Sequence, residues 1–175
     1  VRRRLLAGAL VLVAAAAVYW FAVRDTTVES HLVLPRPTAV IGSGSDAVAV
    51  GPDGQLLGWL PLPEGVRLPQ LPLSKPPASG RLSGPVLEQA RVLGAAPATL
   101  RPYVASSSYG EDGVDVELRS GIELRFGDAT RAARKWRAAA AVLADPSVTA
   151  LDYVDLHAPS RPAIGGSGHA LPPPP

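Results

Sequence analysis

Residues 114–126 read VDVELRSGIELRF, and this stretch decides the fold. Val114, Val116 and Leu118 alternate with Asp115 and Glu117, while Ile122, Leu124 and Phe126 alternate with Glu123 and Arg125. Strict alternation is the period of a half-buried strand. Two such runs joined by a short polar link form an antiparallel hairpin, in which facing residues share a sheet face. A two-residue loop sets Leu118 opposite Glu123 and mixes the faces. A three-residue loop, Arg119-Ser120-Gly121, pairs Leu118 with Ile122, Val116 with Leu124 and Val114 with Phe126. Gly121 then takes the left-handed position that such a loop demands. On the polar face Asp115 meets Arg125 and Glu117 meets Glu123.

Outward from the hairpin, residues 104–109 read as a third strand, joined through Gly110-Glu111-Asp112-Gly113. Residues 128–144 read as a helix, with Asp128 as N-cap and Asp145-Pro146 as its stop. Ala129, Ala133, Trp136, Ala140 and Leu143 form its apolar stripe, and Arg131, Arg134, Lys135 and Arg137 fall on a solvated face. Residues 150–157 read as the last strand. From Pro159 onward the chain is Pro, Gly and Ser, and residues 164–175 are expected to be a disordered tail. On the N-terminal side, residues 85–93 read as a short helix that begins on proline. Residues 47–50 meet residues 55–57 across the turn Gly51-Pro52-Asp53-Gly54. Residues 41–46 read as a flexible connector. The Pro- and Leu-rich residues 60–84 read as an extended segment laid over the domain.

Residues 5–23, LLAGALVLVAAAAVYWFAV, carry no charge. At about 1.5 Å per residue a helix of this length spans the roughly 30 Å hydrocarbon core. The run exceeds a signal-peptide core, and Tyr19-Trp20-Phe21 leaves no small-residue cleavage site at its end, so an uncleaved anchor is expected. Arg2, Arg3 and Arg4 place the short end 1–4 in the cytoplasm and all that follows outside. The expected class is α+β: one transmembrane helix, a connector over 24–37, a small extracytoplasmic β-domain over 38–163 with an antiparallel or mixed sheet and two helices, and the tail. The protein is thus expected in the plasma membrane as a single-pass chain.

Seventeen Lys and Arg stand against fifteen Asp and Glu. Without Arg2–Arg4 the balance turns negative, which excludes a basic nucleic-acid surface. The absence of cysteine excludes disulfides and thiolate chemistry. The histidines are His31, His157 and His169. Only His157, two residues from Asp155, sits near a second titratable group on a strand face, and no nucleophile or further ligand accompanies it. No catalytic, cofactor-binding or metal-binding residues are assigned, and no enzymatic activity is expected.

Three features in order carry a resemblance: residues 120–128 (SGIELRFGD), Lys135 within an Ala-rich helix, and residues 155–162 (DLHAPSRP). The chain resembles the C-terminal β-domain of the FtsQ/DivIB bacterial cell-division proteins in an actinobacterial form, loosely over residues 47–163. The resemblance implies a divisome scaffold without catalysis at the division septum. It would link small bitopic FtsB- and FtsL-like partners and help control septal cell-wall synthesis. The family places a POTRA domain between membrane and β-domain, and residues 24–37 are far too few for one. The alternative class is an anchored extracytoplasmic protein-binding module of another pathway, such as a secretion or sporulation scaffold. As the last strand, residues 150–157 are expected at a sheet edge, where a partner segment adds as a further strand. The expected partner-binding residues are Tyr153, Val154, Asp155, Leu156 and His157, with Tyr153 as anchor.

Overall fold

The computed structural model describes residues 35–62 and 68–171. The expected membrane helix 5–23, its flanking Arg2, Arg3 and Arg4, and most of the connector lie outside the described residues. Among the described residues no helix is long and apolar enough to cross a membrane.

The hairpin forms as its alternation requires. Strand β4 (Gly113–Leu118) runs antiparallel to β5 (Glu123–Gly127), with Val116 opposite Leu124, Asp115 opposite Arg125 and Glu117 opposite Glu123. The loop closes through Gly121 N–H to Leu118 O at 2.9 Å and Leu118 N–H to Ile122 O at 2.8 Å. Gly121 has φ +90°, the conformation that favours glycine. One pairing departs from the alternation. Val114 faces Gly127 rather than Phe126, because a bulge lies between Val114 and Asp115. Gly113 and Gly127 make this possible: a Cβ on Gly113 would stand 2.4 Å from the Gly127 carbonyl oxygen. The bulge needs two bare backbones far apart in sequence, which no local pattern announces.

Strand β3 (Val104–Gly110) pairs antiparallel with β4. Beyond β5 the chain crosses over through a helix and returns as β6 (Ala150–Asp155), parallel to β5. It then turns back as β7 (Ala163–Ala170), antiparallel to β6. The sheet order is β3-β4-β5-β6-β7. A separate ribbon, β1 (Ala39–Ile41) with β2 (Val48–Val50), precedes it. Gln70 stitches the two together by single bridges to Val40 and Ser106. Residues 68–82 of the expected extended segment therefore do lie over the domain, with Leu71 and Leu82 buried. Residues 41–46 are not a loose connector. They form the loop of the β1–β2 hairpin, with a 3-10 turn at Gly44–Asp46. The Gly51–Gly54 turn holds, and its far limb meets β2 through the Val50–Leu56 bridge and the Leu57 N–H to Ala49 O bond at 2.8 Å, while the ladder partner of β2 is β1.

Two helices cover one face of the sheet. Helix α1 (Gly84–Gly94) packs on β3 and β4, and α2 (Ala132–Leu143) on β5. The core between them is aliphatic around one aromatic pair, Phe126 and Trp136, with ring centroids 4.9 Å apart. Burying rings of this size contributes about 1.5–3 kcal/mol each. Trp136 Nε1–H donates to Val92 O at 2.7 Å and so ties α2 to α1. Ser107 Oγ–H donates to Gln89 Oε1 at 2.9 Å, which satisfies the two buried polar side chains that join β3 to α1.

The entry to α2 corrects two expectations. Asp128 is not the N-cap. The helix begins at Ala132 after Arg131, which has φ 55°. The Asp128 carboxylate instead accepts from Thr130 N–H at 3.2 Å, from Thr130 Oγ1 at 2.6 Å and from Lys135 Nζ at 2.7 Å. Lys135 is not on a solvated face either. Its side chain is 2% exposed, and Nζ also donates to the carbonyls of Phe126 at 2.7 Å and Asp128 at 3.0 Å. An ammonium has three donors, and all three are used. The hydrogen bond from Lys135, with that from Thr130, holds the Asp128 carboxyl at about 2, below its ordinary value of 3.8.

Lys135→Met keeps the apolar stem and removes the ammonium. It leaves buried carbonyls without donors and should cost about 1–3 kcal/mol, read as a lower denaturant midpoint. Because the Asp128 carboxyl is depressed, its contribution is present above its ordinary value of 3.8 and lost as pH falls from there toward 2. Acid unfolding of Asp128→Asn should accordingly show a weaker pH dependence in that window than wild type.

Candidate functional site

The face of the sheet away from the helices is polar and open. Asp115 and Glu117 of β4, Glu123 and Arg125 of β5, and Tyr153 and Asp155 of β6 line it in register. Arg125 holds the centre: Nε donates to Glu123 Oε1 at 2.6 Å, and the guanidinium lies 4.1 Å from the centroid of the Tyr153 ring. A stacked guanidinium of this kind contributes about 0.5–1 kcal/mol when exposed. Burial and the Glu123 charge push the Asp115 carboxyl up, and Arg125 only partly offsets them.

The edge lies elsewhere than the sequence implied. Strand β6 is not terminal in the sheet, because β7 pairs along it, with Tyr153 opposite Gly165, Val154 opposite Ile164 and Asp155 opposite Ala163. Residues 163–170, expected as part of a disordered tail, are a strand. Its glycines make room for β6 side chains: a Cβ on Gly165 would stand 2.6 Å from the Tyr153 ring. Asp152 fills the irregular part of the ladder, and its Oδ1 accepts from Gly168 N–H at 2.8 Å. His169, also assigned to the tail, lies over the β4–β5 loop, where a Cβ on Gly121 would stand 2.5 Å from its ring. Strand β7 is thus the edge at this end of the sheet. Among the described residues its outer side has no partner strand, and Ile164 on it is 47% exposed.

The five residues expected to bind a partner divide accordingly. Val154 and Leu156 are fully buried in the core and present no side chain to a partner. Tyr153 lies on the open face between Arg125 and Gly165. Asp155 and His157 form a pair at the end of β6. Asp155 Oδ1 accepts from His157 N–H at 2.9 Å and lies 2.8 Å from His157 Nδ1, while His157 Nε2 lies 3.3 Å from the Asp112 carbonyl. Burial pushes the Asp155 carboxyl up, but the hydrogen bonds and charge of His157 outweigh it and hold it below the usual range. The hydrogen bond to Asp155 raises the His157 ring above its ordinary value. Among the described residues no three His, Asp or Glu side chains converge as metal ligands do.

Sequence reasoning missed Ile164, Asp152 and Lys135. For Lys135 a signal existed. It is one of two lysines among many arginines, and a compact ammonium fits a site ringed by carbonyls where a planar guanidinium does not. For β7 the sequence AIGGSGHA carries too few apolar residues to signal a strand.

The sequence model of the family described as "Cell division protein FtsQ/DivIB, C-terminal" matches residues 39–157. The matched range runs from β1 to the end of β6 and stops before β7. No curated protein sequence matches the chain.

Gly121→Val must force a positive φ and displace His169, and should destabilise by about 1–2 kcal/mol. Gly165→Val should push the Tyr153 ring off Arg125 and lower stability by the smaller stacking term of about 0.5–1 kcal/mol. A Gly165→Val protein that unfolds together with wild type in urea would show that β7 does not pack on Tyr153.

Proposed function

Because the chain belongs to the FtsQ/DivIB family of cell division proteins, we propose that it is a non-enzymatic scaffold of the divisome, anchored by residues 5–23 and carrying its β-domain outside the membrane. Arg2, Arg3 and Arg4 support that orientation through the positive-inside bias. The scaffold recruits small bitopic partners of the FtsB and FtsL kind and helps control septal cell-wall synthesis.

The observation that carries this reading is the open outer edge of β7. An edge strand presents unpaired N–H and C=O groups. A partner segment that adds there gains a backbone ladder, and alternate side chains set its specificity. Strand β7 takes the role that residues 150–157 were expected to play. Ile164 offers an apolar contact on one face, and Tyr153 with Arg125 flanks the edge on the other. Asp155 and His157 lie near the start of β7 and can discriminate among partner residues at that end. Val154 and Leu156 contribute by holding β6 in the core.

An enzyme active only after export, fused beyond Ala170, should be active in cells. Binding of the full chain in detergent to the extracytoplasmic segment of an FtsB-like partner should weaken about tenfold or more on Ile164→Asp, which is about 1.4 kcal/mol. Proline placed in turn at Ala163 and at Ile164 should separate the two ladders. The position whose N–H faces outward should lose binding with little change in stability, and the other should lose stability first. Unchanged affinity in all three folded variants places the docking site elsewhere.

A further inference from the structure

His157 joins three segments that are remote in sequence. Its ring lies against Gly127 at the end of β5, where a Cβ would stand 2.6 Å from Cδ2 and Nε2. Nδ1 faces Asp155 Oδ1 of β6 at 2.8 Å. Nε2 faces the Asp112 carbonyl in the β3–β4 turn at 3.3 Å. Gly127 in turn lies against Gly113, so the turn, the end of β5 and the end of β6 are stacked in contact.

Both of these partners are acceptors. A backbone carbonyl has no hydrogen to give, and an ionised carboxylate has none either. Both bonds therefore exist together only when each ring nitrogen carries a hydrogen, that is, in the imidazolium. A neutral ring has one N–H, and its bare nitrogen meets another lone pair. We propose that His157 is a proton-operated latch, whose doubly protonated ring ties the β3–β4 turn to the end of β6 and whose loss of one proton releases that turn.

The charges around it favour the closed form. Asp155 on β6 and Asp115 on β4 are acidic neighbours, and Asp112 in the turn contributes through its carbonyl. Lys135 of α2 opposes protonation, and Arg125 of β5 acts mainly through its hold on Asp155 and Glu123. Since the His157 ring is raised above its ordinary value of 6.5, the latch is fully closed below that value and opens as pH rises through the raised one. The Asp155 carboxyl is depressed, so its side of the pair holds until pH falls below 3.8. The released element is one wall of a cleft formed by Tyr109 near the end of β3, Glu111 and Asp112 from the turn, Leu87 and Glu88 from α1, and Thr130. The latch therefore sets how firmly that wall is held, and a domain outside the membrane, as proposed above, meets external pH directly.

Two measurements on the full chain in detergent micelles test this. Nuclear magnetic resonance of the His157 ring should show a titration midpoint above 6.5 and hydrogens on both nitrogens below it. Hydrogen exchange over residues 109–115, compared at about pH 5.5 and about pH 8.5 after correction for intrinsic rates, should show protection lost at the higher pH. In His157→Gln the corrected protection should be the same at both pH values, and in Asp155→Asn the midpoint should fall. The latch is overturned if His157 titrates at or below its ordinary value, if wild-type protection does not change with pH, or if His157→Gln keeps the wild-type change. Should His157→Gln not fold by circular dichroism, the wild-type titration and Asp155→Asn decide alone. Loss of partner binding at β7 without any change here would reject the proposed function and leave the latch intact.

Discussion

A buried ammonium must find three acceptors, and Lys135 finds them all at the end of β5 and just beyond it. The carbonyls of Phe126 and Asp128 and the Asp128 carboxylate surround it. The cost of burying a charge is met only when its hydrogen bonds are complete. The group therefore fixes the path of the chain from β5 into α2 within one turn. That path sets Trp136 against Phe126 and onto Val92. It also sets the length and direction of the crossover that returns β6 parallel to β5. Only because β6 lies there can β7 turn back and become the edge.

The parts of this arrangement that are local were legible in the sequence. Residues 114–126 alternate with period two, and Gly121 stands where a three-residue loop needs a positive φ, so register and turn followed directly. The shift at Val114 was not legible, because it rests on Gly113 and Gly127 approaching each other across two strands. Lys135 looked like one more charge on a basic helix, and its burial depends on carbonyls that the preceding strand supplies. Strand β7 was hidden more thoroughly. Its own residues are small and polar, and what makes it a strand is the space taken by Tyr153 and Asp152 of its neighbour. The candidate site inherited that error: the edge was placed one strand too early, and two of the chosen residues, Val154 and Leu156, proved to be core.

The two faces of the sheet carry different duties. One is sealed by α1 and α2 and holds the apolar core. The other stays open, with acidic groups in register and a single Arg125 to bind them. The β7 edge lies between these two faces, with Ile164 toward the helix side and Tyr153 and Arg125 beside it on the open side.

The link between β6 and β7, residues 156–162, is short, and Arg161 N–H to Ala158 O closes it as a turn. A strand tethered this closely has an effective concentration at β6 far above that of any separate chain in the cell, on the order of millimolar for short flexible links. A free segment competing for β6 is thus outbid by β7. The tether thereby keeps other strands from β6 and leaves the outer side of β7, among the described residues, as a position with no strand paired to it.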